Sequence, residues 1–135
     1  MIKRIYGLNI AVKDLEAAKK TYESFFGVKA EPMGADSFAF PGLIGAKLNV
    51  GGLVVHLISY SDENTSVAKF VNSKGDGFFL LSVEVDNIDQ DVAAAREKGL
   101  NVLLPETAKG DFGAANFIHP KSMHGVQFEL YQPKP

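Results

Sequence analysis

The sequence predicts an α+β fold built from two βαβββ modules, and three observations lead there. Apolar alternation and helical spacing follow the order strand, helix, three strands, twice along 135 residues. GLNIAVKDL at 7–15 aligns with LLSVEVDNI at 80–88, and GLVVHLISY at 52–60 with GVQFELYQP at 125–133; both pairs are 73 residues apart. The glycines placed to end the two helices, Gly27 and Gly99, are 72 apart, one deletion short of that offset. A constant offset between separated segments marks an internal repeat. The expected organisation is one domain, 1–135, made of module 1–72 and module 73–135. Neither module is long enough to bury a core alone.

The elements follow in order. RIYGLNIAV alternates and is rich in branched residues, so it reads as a strand. Asp14 is placed as an N-cap. Leu15, Ala18, Tyr22 and Phe25/Phe26 recur at helical spacing, and Gly27 stands where a helix stops. The stretch KAEPMGADSFAFPG holds two prolines and two glycines, and reads as irregular with a short strand around Phe38–Phe40. AKLNV, a Gly51-Gly52 turn and LVVHLISY make a hairpin. DENTSVAKFVNSKGDG reads as a loop, a short helix with Val67, Phe70 and Val71 on its apolar face, and a linker. Then LLSVEV is a strand, and Asn87 or Asp89 opens a helix with Ile88, Val92 and Ala95 inward. NVLL, AANFIH and GVQFELY are three more strands.

Composition narrows the function. The chain has 46% hydrophobic and 22% charged residues, which suits a packed domain. Lys and Arg total 14 against 16 Asp and Glu, so no basic excess points to nucleic acid. The apolar runs are far shorter than a membrane span. MIKRIYGLNIAV does not resemble a signal peptide, so a cytoplasmic protein is expected. With no cysteine, thiol nucleophiles and Cys-ligated zinc are ruled out. Three histidines remain: His56, His119 and His124. There is no GxGxxG, P-loop or HExxH motif.

Strand parity sorts the faces. Leu8, Ile10, Val12, Val55, Leu57, Leu81, Val83, Val85, Phe128 and Leu130 share one face, all apolar, expected beneath the two helices. The other face carries Gly7, Asn9, Ala11, Val54, His56, Ile58, Leu80, Ser82, Glu84, Gln127, Glu129 and Tyr131. Such a mixture suits the lining of a ligand cavity. It would equally suit a sheet face left to water.

The residues also carry a family resemblance. IYGLNIAVKDLEAAKKTYESFFGVK resembles the opening of the vicinal oxygen chelate superfamily. That superfamily includes glyoxalase I, extradiol dioxygenases, bleomycin-resistance proteins and methylmalonyl-CoA epimerase. TSVAKFVNSKGDG, VEVDNID and FIHPKSMHGVQFELYQP are similar to the epimerase branch. The resemblance implies two modules curling into one half-open, mixed-sheet barrel, a homodimer, and a divalent metal such as Co, Ni, Zn or Mg. The metal would be held from the first and last strands of each module. Carried over, the ligand positions are Gly7, His56, Leu80 and Glu129. The epimerase pattern has His at the positions of Gly7 and Leu80. Only His56 and Glu129 are ligand-type residues, so the expectation is no metal or a weakly held one.

Two functions remain in view. One is an epimerase, isomerase or glyoxalase-type lyase acting beside a carbonyl, with a degenerate metal site. Its ligand would be an acyl-CoA or a 2-oxo compound, and Glu129 and His56 would be the acid–base pair. The other is a metal-free binding protein of the bleomycin-resistance type, in which His56 and Glu129 are structural. Asn9, Ser82, Gln127 and Tyr131 are candidate ligand contacts, as are His124 and Lys121 from the HPKSMH loop. His119 reads as structural or as lying at a cavity edge.

Overall fold

A computed structural model describes residues 1–135. β1 (Ile2–Ala11) leads into α1 (Leu15–Phe26), followed by β2 (Glu31–Met33), β3 (Leu43–Val50) and β4 (Leu53–Tyr60). After α2 (Ser66–Lys74) come β5 (Gly77–Val85), α3 (Ile88–Glu97), β6 (Ala108–Gly110), β7 (Gly113–Ile118) and β8 (Phe128–Gln132). In each repeat the fourth strand pairs parallel with the first and antiparallel with the third. The repeat read from the sequence is therefore also a repeat of strand pairing.

The chain forms two compact units, Gly7–Phe79 and Met1–Tyr6 with Leu80–Pro135. The sequence modules divide the chain at 72/73, whereas these units divide it at 79/80 and place Met1–Tyr6 with the later strands. In the Gly7–Phe79 unit, Asp14 caps α1 by accepting from Ala17 N at 3.0 Å. Gly27 ends the helix in the left-handed region, at φ 70°. Leu15, Ala18, Tyr22 and Phe26 of α1 pack on Ile10, Ala46, Leu48 and Leu57. Helix α2 packs Val67 and Val71 against Ala11 and Ile58. These two sheet residues share the face of Asn9 and His56, so α2 covers the continuation of the mixed face. Gly51 and Gly52 both have positive φ, which closes the β3–β4 hairpin with a two-residue turn.

In the other unit, Asn87 caps α3 by accepting from Gln90 N at 3.2 Å. Ile88 and Val92 then reach Val83, Val85, Ala114 and Leu130. The predicted division of faces holds for both α1 and α3.

Two strands differ from expectation. Residues 38–40 are not a strand; the pairing falls on Glu31–Met33 instead. Pro32 is tolerated there because β2 is an edge strand, bonded to β3 alone. Phe38 is used as packing against the α2 cluster. NVLL is also not a strand: Val102 makes one isolated bridge to Ile118. The buried Asn116 side chain takes over, accepting from Leu104 N and donating to Leu104 O, both at 3.1 Å. An amide side chain thus serves as the neighbouring backbone would, and the paired strand moves to Ala108–Gly110.

Gly7 tests the closeness of β1 and β4. A Cβ at Gly7 would collide with the Val54 carbonyl oxygen, whereas one at Gly77 would meet nothing within 4 Å. Gly7→Ala is expected to destabilise by about 1–3 kcal/mol, and Gly77→Ala to stay within about 0.5 kcal/mol of the parent. Denaturant unfolding measures both. Equal midpoints would show that the two strands do not approach this closely.

Candidate functional site

The Gly7–Phe79 unit places three polar side chains in a row. His56 on β4 is opposite Asn9 on β1 and Lys47 on β3. Register partners present their side chains on the same face of the sheet. His56 is half-buried, and burial pushes its pKa down to about 4. An interaction with the Leu8 backbone acts the other way, and the Lys47 charge adds to the fall. The imidazole is therefore neutral at pH 7. Beside it, Asn9 Oδ1 is buried with no hydrogen-bond partner.

The second unit repeats the arrangement with an acid. Glu129 on β8 is opposite Ser82 on β5 and Phe117 on β7. Burial pushes its carboxyl up to about 7. The Ser82 hydroxyl opposes that rise, but its Oγ is buried without a partner in hydrogen-bond geometry, so the opposition is weak. No ion pair of the structure includes Glu129. Glu84 differs: Arg4 Nε lies 3.0 Å and Lys3 Nζ 3.7 Å from its carboxylate. Two acids on one face are thus in opposite situations, one compensated by cations and one not.

This face is not left to water. Leu80 is 2%, Ser82 0% and Glu84 9% exposed. Of the other sequence candidates, Tyr131 donates its hydroxyl to Phe112 O at 2.9 Å, and its ring lies 4.9 Å from that of Tyr6. Burial pushes its phenol up to about 12, so it stays protonated. The Gln127 carbonyl accepts from Leu81 N at 3.0 Å. Lys121 and His124 are exposed on the turn after β7, where His124 is left-handed at φ 56°. Neither side chain makes a hydrogen bond or ion pair. His119 is structural, its Nδ1 accepting from Lys121 N at 3.0 Å.

The implied metal does not fit these residues. Gly7 offers no side chain, Leu80 is buried and apolar, and no three His, Asp or Glu side chains are grouped to hold an ion. Lys47 escaped the sequence reading. The signal was present: a two-residue turn at Gly51-Gly52 sets the hairpin register and puts Lys47 across from His56.

Comparison with known proteins agrees with the fold. Residues 8–119 match the family model of the Glyoxalase/Bleomycin resistance protein/Dioxygenase superfamily. The mitochondrial methylmalonyl-CoA epimerase of Bos taurus is 30% identical over 132 residues, covering 96% of this chain and 74% of that protein. The crystal structure of the Mycobacterium tuberculosis methylmalonyl-CoA epimerase matches with a TM-score of 0.88 at 29% identity, over 99% of this chain and 90% of that one. A Streptomyces coelicolor epimerase variant in complex with 2-nitronate-propionyl-CoA gives 0.87 at 28% identity, over 100% of both chains. The α+β, glyoxalase-like architecture thus extends over the whole chain, which belongs to the Glyoxalase/Bleomycin resistance protein/Dioxygenase superfamily and is similar to its methylmalonyl-CoA epimerases.

Proposed function

We propose that this protein is an epimerase-type enzyme that moves the proton beside the carbonyl of an acyl thioester, without a divalent metal. The supporting observation is Glu129, a half-buried carboxyl with no cation, held near neutrality. A carboxyl poised there can take and return a proton at pH 7. The substrate class follows the relatives, which are methylmalonyl-CoA epimerases, one of them bound to an acyl-CoA analogue. The absence of ligating atoms at Gly7 and Leu80 supports the metal-free part.

The proposed roles are these. Glu129 as carboxylate removes the α-proton, and the C–H electron pair moves onto the carbonyl oxygen as an enolate. Inversion needs the proton to arrive on the opposite face: a water molecule there protonates the enolate, and Glu129 gives its proton to the hydroxide so formed. His56 is neutral at this pH; its N–H faces the Leu8 backbone, so its other ring nitrogen is an acceptor for a ligand N–H or O–H.

Proton exchange is the direct test. In deuterated buffer, methylmalonyl-CoA should lose its α-proton signal at a rate that rises with pH through about 7. Treatment with EDTA should not change that rate. Glu129→Gln should lower it by about a hundredfold or more. No exchange in the parent enzyme, with the thioester still bound, would favour the metal-free binding protein, to which the orphaned Asn9 and Ser82 also lend support. Recovery only on adding a divalent ion would overturn the metal-free reading.

Stability carries the same information. Between about pH 4.5 and 7, folded Glu129 keeps a proton that the unfolded chain has lost, so stability should fall as pH rises across that window. His56 works in the other direction. Between about pH 6.5 and 4 the unfolded chain gains a proton that the folded imidazole refuses, so stability should fall as pH falls. Urea unfolding across pH should show Glu129→Gln flattening the first slope and His56→Gln the second. An unaltered slope in Glu129→Gln would mean that its carboxyl is not raised.

A further inference from the structure

We propose that Lys47, with Asn9 and His56, forms a subsite for the carboxylate of a small organic acid. This goes beyond proton transfer at Glu129 and does not depend on it.

The register places the three residues side by side across β3, β4 and β1, on the mixed face of the sheet. Paired residues on neighbouring strands sit about 5 Å apart at Cβ, a spacing that one carboxylate can bridge with its two oxygens. Lys47 is half-buried, and none of the ion pairs of the structure includes it. A shielded ammonium without a counter-charge attracts an anion more strongly than one in open water. Glu31 is its register partner on the other side, on the edge strand β2, but is exposed and does not pair with it. Asn9 supplies donors without competing charge. The amide nitrogen of Asn9 provides two N–H groups; its Oδ1 is an acceptor and takes no part in holding a carboxylate. His56, neutral at pH 7, neither repels Lys47 nor neutralises an incoming anion. A cationic ligand would meet the ammonium and be disfavoured. The Lys47 ammonium and the Asn9 N–H groups together therefore select negative charge and hydrogen-bond acceptors.

Malonate is the probe, titrated calorimetrically into the full chain in constant chloride, with inorganic phosphate as a second arm. Malonate should bind, and saturation should shift the His56 ring resonance while leaving those of His119 and His124 in place. Lys47→Gln should weaken binding by about tenfold or more, the loss of one charge-assisted hydrogen bond. Lys47→Arg should restore most of it. Glu31→Gln should leave affinity equal or tighter. Lys109→Gln, at a lysine paired with Asp89 at 3.0 Å, should change nothing. Glu129→Gln should still bind malonate even if it exchanges no proton, which separates this proposal from the preceding one. An unmoved His56 resonance in the parent overturns the subsite even if Lys47→Gln fails to fold. Equal affinity in Lys47→Gln, or phosphate binding as tightly as malonate, also overturns it.

Discussion

Parallel strands can pair only when the chain crosses back over the sheet between them. In each module the crossing is made by a helix and a hairpin, and it brings the fourth strand beside the first. This pairing decides what every polar side chain of the mixed face has for a neighbour. Asn9 meets His56 and Ser82 meets Glu129 because β1 and β4, or β5 and β8, run in the same direction in this register. A slip by one residue would send all four into the helix-facing cores. The cores resist such a slip, because Ile10, Leu57, Val83 and Leu130 are the apolar residues that α1 and α3 require.

Against that background, burial acts on the repeat-equivalent pair with opposite results. It favours the neutral form of any group. His56 therefore gives up its proton and Glu129 keeps its own, so both drift toward neutrality from different sides. Only Glu129 arrives within reach of physiological pH. The asymmetry explains why one is proposed to move protons and the other is not. Glu84, also on this face, has cations beside it. Arg4 and Lys3 pair with its carboxylate and so fasten β1 to β5.

Much of this was legible in the sequence because the signals were local or periodic. Asp14 and Asn87 as caps, Gly27 as a stop and the face parity of Ile10, Leu57, Val83 and Leu130 all follow from spacing. The 73-residue offset located His56 and Glu129 as equivalents. What escaped depended on contacts between distant residues. NVLL has the composition of a strand, but Asn116 satisfies Leu104 through its side chain and removes the need for one. Pro32 disguised an edge strand. The pKa directions required knowing which side chains are buried, since Glu84 and Glu129 look alike in the sequence.

The proposed loss of the metal is deeper than the replacement of two ligands. Position 7 lies where β1 presses against β4, so that any Cβ would collide with the Val54 carbonyl oxygen. Placing a histidine there would require the two strands to separate, and their separation would disturb the Asn9–His56 register two residues further on. Leu80, in turn, is fully enclosed, so a polar imidazole at that position would need hydrogen-bond partners that its apolar predecessor does not have. Close strand contact and apolar filling thus stabilise the backbone in an arrangement that excludes the imidazoles. Within that arrangement, the proposed compensation for anionic charge is the ammonium of Lys47, a monovalent cation supplied by the chain itself.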